Sequence, residues 1–252
     1  MLDALCRPPG SLPSSPAAGS SPQGGFDDLG REAVYQAIAQ RRDMRHFTPG
    51  QRIDPAVMQR LLTAAHQAPS VGLMQPWRFI RLTDSPHREA VRELVQAERA
   101  STAQAMGNRE DEFWQLKVEG LRECAELWAV ALAPDDGTVF GRRTMPHEMA
   151  LCSAACAIQN LWLAARAENL GMGWVSMFDP DALGALLALP DGARAIALLC
   201  IGPVPAFYPQ PMLTASGWRT GRPLSEMLHE HHWGGGGAGG QQVEHAPGWD
   251  GQ

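Results

Sequence analysis

The stretch that most limits what this chain can fold into runs over residues 151–175. It is the most apolar region of the sequence, yet Gln159, Asn160, Arg166, Glu168 and Asn169 interrupt it. An unbroken apolar run of about 18 residues reads as a membrane span. With charged and amide side chains inside it, this one reads as a helix buried in protein, predicted over residues 146–170. Gly171-Met172-Gly173 is the expected stop, because glycine takes the left-handed conformation that commonly ends a helix. A strand is expected over 174–178. Leu151, Ile158, Leu161 and Trp162 give the helix more apolar surface than one face of a lone domain needs, so a homodimer is expected.

The rest of the chain supplies layers for that helix. Asp54-Pro55 is a helix start, with aspartate as N-cap and proline at the first helical position. Val57, Leu61, Leu62, Ala65 and Ala68 then recur at helical spacing. Strands are predicted over 77–82, 128–133 and 195–201. Helices are predicted over 86–106, 110–126 and 180–187, with a last one from near Leu224. In the 110–126 helix, Phe113, Leu116, Gly120, Leu121 and Cys124 fall on one side. Helices outnumber strands, which gives an α+β class, a mixed sheet covered by helices. Residues 1–25, rich in Pro, Ser and Gly, and the Gly-rich 234–252 read as disordered tails around one domain, 26–233. The net charge of −6 argues against nucleic-acid binding. Five scattered cysteines without disulfide-framework spacing, and no signal-peptide core, point to the cytoplasm and away from a membrane.

Four stretches carry candidate chemistry. Arg41-Arg42-Asp43-Met44-Arg45-His46-Phe47 places three guanidiniums and a carboxylate within five residues. On an extended segment Arg41 and Arg45 share a face, with Asp43 between them. Guanidinium forks suit phosphate or carboxylate; the same run also fits a solvated charge cluster closing a helix. Residues 68–77 (APSVGLMQPW) form a small-residue loop into a strand, where Gly72 permits close approach of a flat ligand, or merely a connector. Gly171 to Ser176 is either a cap and core strand or a site edge. Trp218-Arg219-Thr220-Gly221-Arg222 is either a solvated turn or a second half of a phosphate clamp. Neither dinucleotide fingerprint is present. His229, His231 and His232 lack the i,i+4 spacing of a helical metal pair, and Cys152 and Cys156 read as small core residues of an apolar helix. No metal site is expected, and redox chemistry here calls for an organic cofactor.

Taken together these stretches resemble the flavin-dependent nitroreductase superfamily, and more closely its aerobic 5,6-dimethylbenzimidazole synthase (BluB-type) branch. The branch pattern is visible in Arg41-Arg42-Asp43-Met44-Arg45, in Ala68-Pro69-Ser70-Val71-Gly72-Leu73, in Gly141-Arg142-Arg143-Thr144-Met145-Pro146 and in residues 157–168 (AIQNLWLAARAE). It covers about residues 26–233. The resemblance implies an α+β fold and an intertwined homodimer with flavin at the interface. It also implies a reaction in which reduced FMN and O2 are consumed and the flavin is broken down to the lower-ligand base of cobalamin, with erythrose 4-phosphate released. FMN is then substrate, reduced by a separate flavin reductase. The implied flavin-binding positions are Arg41, Arg42, Asp43, Met44, Arg45, Ser70, Gly72, Leu73, Ser176, Arg219 and Arg222, with Asp43 and Ser176 as the catalytic pair. Ordinary nitroreductases usually carry serine where this chain has Asp43. An NAD(P)H-dependent nitroreductase or flavin reductase, and a flavin storage or delivery protein, are the alternatives. The 145–153 stretch is one residue longer than the family spacing, with Cys152 at an expected tyrosine, so the lid over the flavin is expected to differ.

Overall fold

A computed structural model of the protein describes residues 24–140, 143–144 and 146–233. The two expected tails therefore lie outside the described residues except for Gly24 and Gly25, as do Gly141, Arg142 and Met145 of the branch motif. In chain order the elements are α1 (Asp28–Gln40), α2 (Pro55–His66), β1 (Trp77–Leu82), α3 (Ser85–Ala105), α4 (Glu110–Gln115), β2 (Glu126–Leu132), β3 (Val139–Phe140), β4 (Arg143–Thr144), α5 (His147–Ala167), β5 (Gly171–Val175), α6 (Pro180–Leu186), β6 (Arg194–Gly202) and α7 (Met212–Ala215). The chain divides into two units, residues 1–39 and 40–252. Within the first, α1 has no buried residue, and Leu29, Val34, Tyr35 and Ile38 are exposed.

In the second unit a four-stranded sheet has the order β1-β2-β6-β5. All its pairs are antiparallel: Trp77 faces Leu132, Glu126 faces Ile201 and Gly171 faces Gly202. The parallel component is a single bridge, Asp43 to Met172, so the sheet is mixed only where the arginine-rich segment joins its β5 edge. Every residue of β2 is buried. Alternation then sends Trp128 and Val130 to one face and Leu127 and Ala129 to the other. On the first face Met58, Leu61 and Ala65 of α2 and Ile158, Leu161 and Trp162 of α5 close the core. On the second, Val91 and Val95 of α3, Leu183 of α6, and Met44 and Phe47 do so. The expected start at Asp54 holds, its carboxylate accepting from Ala56 N; the helix expected from Pro180 is capped by Asp179, whose carboxylate accepts from Asp181 N and Ala182 N.

Four expectations are corrected. The helix expected over 110–126 stops at Gln115. Arg99 Nη2 donates to Trp114 O and Leu116 O (2.9 and 2.8 Å), and Arg88 Nη2 donates to Leu121 O and Cys124 O (3.0 and 2.8 Å). Side-chain donors thus take carbonyls that a longer helix would pair itself. Phe113, Leu116, Leu121 and Cys124 of that stretch are still buried, while Trp114 is exposed. The buried helix α5 ends at Ala167, and the left-handed residue after it is Asn169 (φ 57°), not glycine. Gly171 and Gly173 instead lie inside β5, which begins earlier than expected and leaves Ser176 beyond its end. Cys152 and Cys156 are exposed rather than in the core, beside a 41% exposed Leu151. The last helix is one 3-10 turn, Leu224–Glu226; none of its residues is buried, and a short helix needs packing to persist. No helix among the described residues is long and apolar enough to cross a membrane.

Candidate functional site

Residues 41–47 lie along the outer side of β5, and the glycines of β5 make that approach possible. Met44 N donates to Met172 O (2.9 Å), and Met44 is completely buried. A Cβ at position 173 would fall 2.2 Å from Met44 O and 2.4 Å from Arg45 Nη1; one at 171 would fall 2.3 Å from Val204 Cγ1. Trp162 Nε1 of α5 donates to Arg42 O (3.2 Å), and Thr48 N to Pro203 O (2.8 Å).

This seating sorts the charges differently from a shared arginine face. Arg45 turns inward, its side chain only 9% exposed, and forks onto Asp43: Nη1 to Oδ1 and Nη2 to Oδ2, both 2.6 Å. Nη2 also donates to Trp174 O (2.8 Å), while Trp174 N donates to Asp43 Oδ1 (3.0 Å). Arg41 lies over the Trp162 ring at 4.6 Å and has no ion pair among the described residues. Arg42 donates to Arg41 O and Pro209 O (2.9 and 3.2 Å); burial and its cationic neighbours Arg41 and Arg166 lower its pKa. Asp43 has one face packed and one open, its side chain 45% exposed. Burial raises its pKa above the ordinary aspartate value. The Arg45 charge, the Trp174 N–H, the Arg45 hydrogen bonds and the Arg41 charge oppose that rise without cancelling it.

The second segment is the loop after α2. Gly72, Leu73 and Gln75 all have positive φ (57°, 56° and 42°), which is costly for the two that are not glycine. The loop is held by side chains: Ser70 Oγ accepts from Gln75 N (3.2 Å), and Val71 N donates to Ser153 Oγ (3.3 Å), whose hydroxyl donates to Met149 O (2.7 Å). A Cβ on Gly72 would be 2.9 Å from Thr138 Cγ2. Leu73 is left 77% exposed.

Ser176 is exposed just past β5, and its hydroxyl has no partner among the described residues. It follows Trp174 by two positions, so Asp43 and Ser176 are served by the same strand end. Arg219 and Arg222 are exposed as well. Their segment is anchored elsewhere: Trp218 packs on Phe113 of α4 (6.2 Å) and under Arg109 (3.6 Å). No hydrogen bond or ion pair joins Arg219 or Arg222 to Arg41, Asp43 or Arg45.

Sequence reasoning passed over Tyr208, His46 and Ser153. The Tyr208 hydroxyl accepts from Arg45 N (3.1 Å) and lies 2.5 Å from His46 Nδ1. It therefore pins the segment from the side opposite β5. Nothing in the spacing around Tyr208 announces this; only the scarcity of tyrosine, two in the chain, could have drawn attention to it. Two clefts, of about 330 Å³ by Gln75 and Trp77 and about 640 Å³ by Arg81 and Glu126, include neither Asp43 nor Ser176. Among the described residues no group of three His, Cys, Asp or Glu side chains is placed to hold a metal ion.

An ion-pair-free guanidinium at Arg41, an unpartnered hydroxyl at Ser176 and an exposed apolar side chain at Leu73 fit a ligand that joins a phosphate to a flat ring. Residues 38–203 match the model of the nitroreductase family. A 5,6-dimethylbenzimidazole synthase of Rhodospirillum rubrum is 41% identical over 201 residues, covering 79% of this chain and 94% of that protein. A nitroreductase-type protein of Desulfovibrio desulfuricans crystallised with FMN is 25% identical, with a TM-score of 0.54 over 79% of this chain and 96% of that one. A BluB-like flavoprotein of Clostridium difficile shares the fold at 17% identity, with a TM-score of 0.61 over 77% and 97% of the two chains.

Proposed function

The chain belongs to the nitroreductase family, and from that premise we propose that it is an oxygen-dependent 5,6-dimethylbenzimidazole synthase, which fragments reduced FMN and releases erythrose 4-phosphate. The observation that carries this reading is the half-open Asp43 carboxylate, held at both oxygens by Arg45 beside a strand end that also carries Ser176. A carboxylate near a phosphate-bearing ligand costs repulsion, so its retention under two arginines points to a chemical task. The name and the 41% identity of the Rhodospirillum rubrum relative support the same activity.

In this reading Arg41 and the exposed Arg219 and Arg222 hold the phosphate and ribityl end. Arg42, Met44 and Arg45 complete the wall behind them, and Ser70, Gly72 and Leu73 line the ring. Reduced FMN, when bound, supplies the carbon skeleton and the reactivity toward O2. Asp43 accepts a proton at the ribityl side, which its open face permits and its ionised, arginine-paired state requires. Ser176, whose hydroxyl is free to donate or accept, steers a proton at the ring edge. The domain spans 26–233 and works in the cytoplasm as a homodimer. Exposed Leu151, Cys152 and Cys156 on α5 and the exposed apolar residues of α1 are surfaces that a second copy would cover. A separate flavin reductase supplies reduced FMN.

The test is anaerobic loading with reduced FMN, admission of O2 and analysis of products. Dimethylbenzimidazole is expected. Recovery of intact FMN sinks the reading, and turnover of a nitroaromatic with NAD(P)H replaces it with an ordinary nitroreductase.

A further inference from the structure

Arg45 was grouped above with the flavin-contacting positions, but its hydrogen bonds describe a different task. Its side chain is almost fully enclosed, and both terminal nitrogens are engaged within the chain: Nη1 with Asp43 Oδ1 and, more loosely, Met44 O (3.3 Å), Nη2 with Asp43 Oδ2 and Trp174 O. Nothing on that fork faces outward to meet a phosphate. The carboxylate it grips is asymmetrically served. Oδ1 receives two donors, Arg45 Nη1 at 2.6 Å and Trp174 N at 3.0 Å, whereas Oδ2 receives one, Arg45 Nη2 at 2.6 Å. A carboxylate offers about four lone-pair sites, two on each oxygen. Oδ1 is therefore filled, and the site left over is on Oδ2.

We propose that Arg45 is a positioning residue which, with the Trp174 N–H, orients Asp43 so that Oδ2 is the atom that takes the proton in flavin fragmentation. The inference rests on the synthase reading of Asp43. Gly173 is what allows the arrangement, since any side chain there would displace Met44 O and Arg45 Nη1 together. Tyr208 supports it from the other side by accepting the Arg45 N–H. Lysine at 45 retains the positive charge but lacks the planar fork, so it cannot span both oxygens and reach Trp174 O.

The test begins with the ligand-free parent protein, labelled for NMR at the aspartate carboxyls, the arginine guanidiniums and the backbone amides. The Trp174 amide and the Arg45 Nη signals are expected to titrate with the same midpoint as the Asp43 carboxyl; independent behaviour overturns the proposal without any variant. In Arg45→Lys the Asp43 midpoint is expected to rise, because the fork that favours the ionised form is lost; an unchanged midpoint overturns it. Arg45→Lys is also expected to bind FMN and riboflavin in the parent's ratio while forming roughly 10²-fold less product, the cost of a misplaced group. A selective loss of FMN would make Arg45 a phosphate ligand and overturn the proposal. Should the parent protein form no dimethylbenzimidazole, the synthase reading fails, while the titrations still decide whether Arg45 and Trp174 set Asp43.

Discussion

The two segments proposed to line the flavin site are built in opposite ways. Residues 41–47 are over-determined: backbone bonds to β5, an inward arginine, a glycine at 173 with no room for a methyl group, and a tyrosine behind. The 70–75 loop is tied by two serine hydroxyls, yet carries positive φ at Leu73 and Gln75 and leaves Leu73 open. Its neighbours in β3, Val139 and Phe140, are open too. A group that must move a proton has to be held at a fixed angle, and neighbours on several sides do that. A surface that receives a flat ring needs shape and apolar area, and in a single chain that area faces solvent.

The contrast can be broken by substitution on either side. The largest effect is expected at Asp43. Asp43→Asn keeps the shape and should bind reduced FMN nearly as well, still consume O2, and lose product by roughly 10²–10⁴-fold, the range for a general base; product assays against flavin recovery check it. Ser176→Ala should show the same split. Because burial raises the Asp43 pKa, the acid limb of product formation should lie above the ordinary aspartate value: product is present where Asp43 is ionised and is lost as pH falls through that raised pKa. A limb at or below the ordinary value would remove Asp43 as the base.

The next effect is on stability. Gly173→Ala forces a methyl group against backbone and guanidinium, and should cost about 3 kcal/mol, at the upper end for overpacking, measured by denaturant midpoint. Gly72→Ala crowds the end of the Thr138 side chain and reaches ordinary contact with Phe140 Cβ, at positive φ, and should cost about 1 kcal/mol. Equal costs at the two glycines would erase the distinction between the segments.

A smaller effect concerns the phosphate. Arg41→Ala should weaken FMN by roughly tenfold or more and riboflavin hardly at all, since a charged hydrogen bond is worth roughly 1.5–3 kcal/mol. Parallel losses would move Arg41 away from the phosphate. The smallest is Leu73→Gly, which removes the left-handed strain and should raise stability by about 1 kcal/mol while weakening flavin binding. A variant that is less stable would show that Leu73 serves the fold and not a ligand.

Much of this molecule was readable from local signals. Asp54-Pro55 announces α2 because an N-cap and a proline act within one turn. The strands around Trp128 and Ala197 announce themselves by continuous apolar residues, since a strand buried on both faces tolerates little else. The Arg41–Arg45 run and the 68–77 loop stand out as candidate-site stretches, because charge density and small residues are properties of the sequence itself. What the tertiary structure alone decided depends on partners far along the chain. Arg88 and Arg99 ended α4 by taking its neighbours' carbonyls. Gly171 and Gly173, expected to close a helix, were required for close packing of a segment some 130 residues earlier. The same distance separates Arg45 from Trp174, so alternation along residues 41–45 suggested a shared arginine face, whereas a buried guanidinium needs a compensating carboxylate and turned to Asp43. Periodicity records which way a side chain points along its own element; which charge it meets there is set by the other elements packed against it.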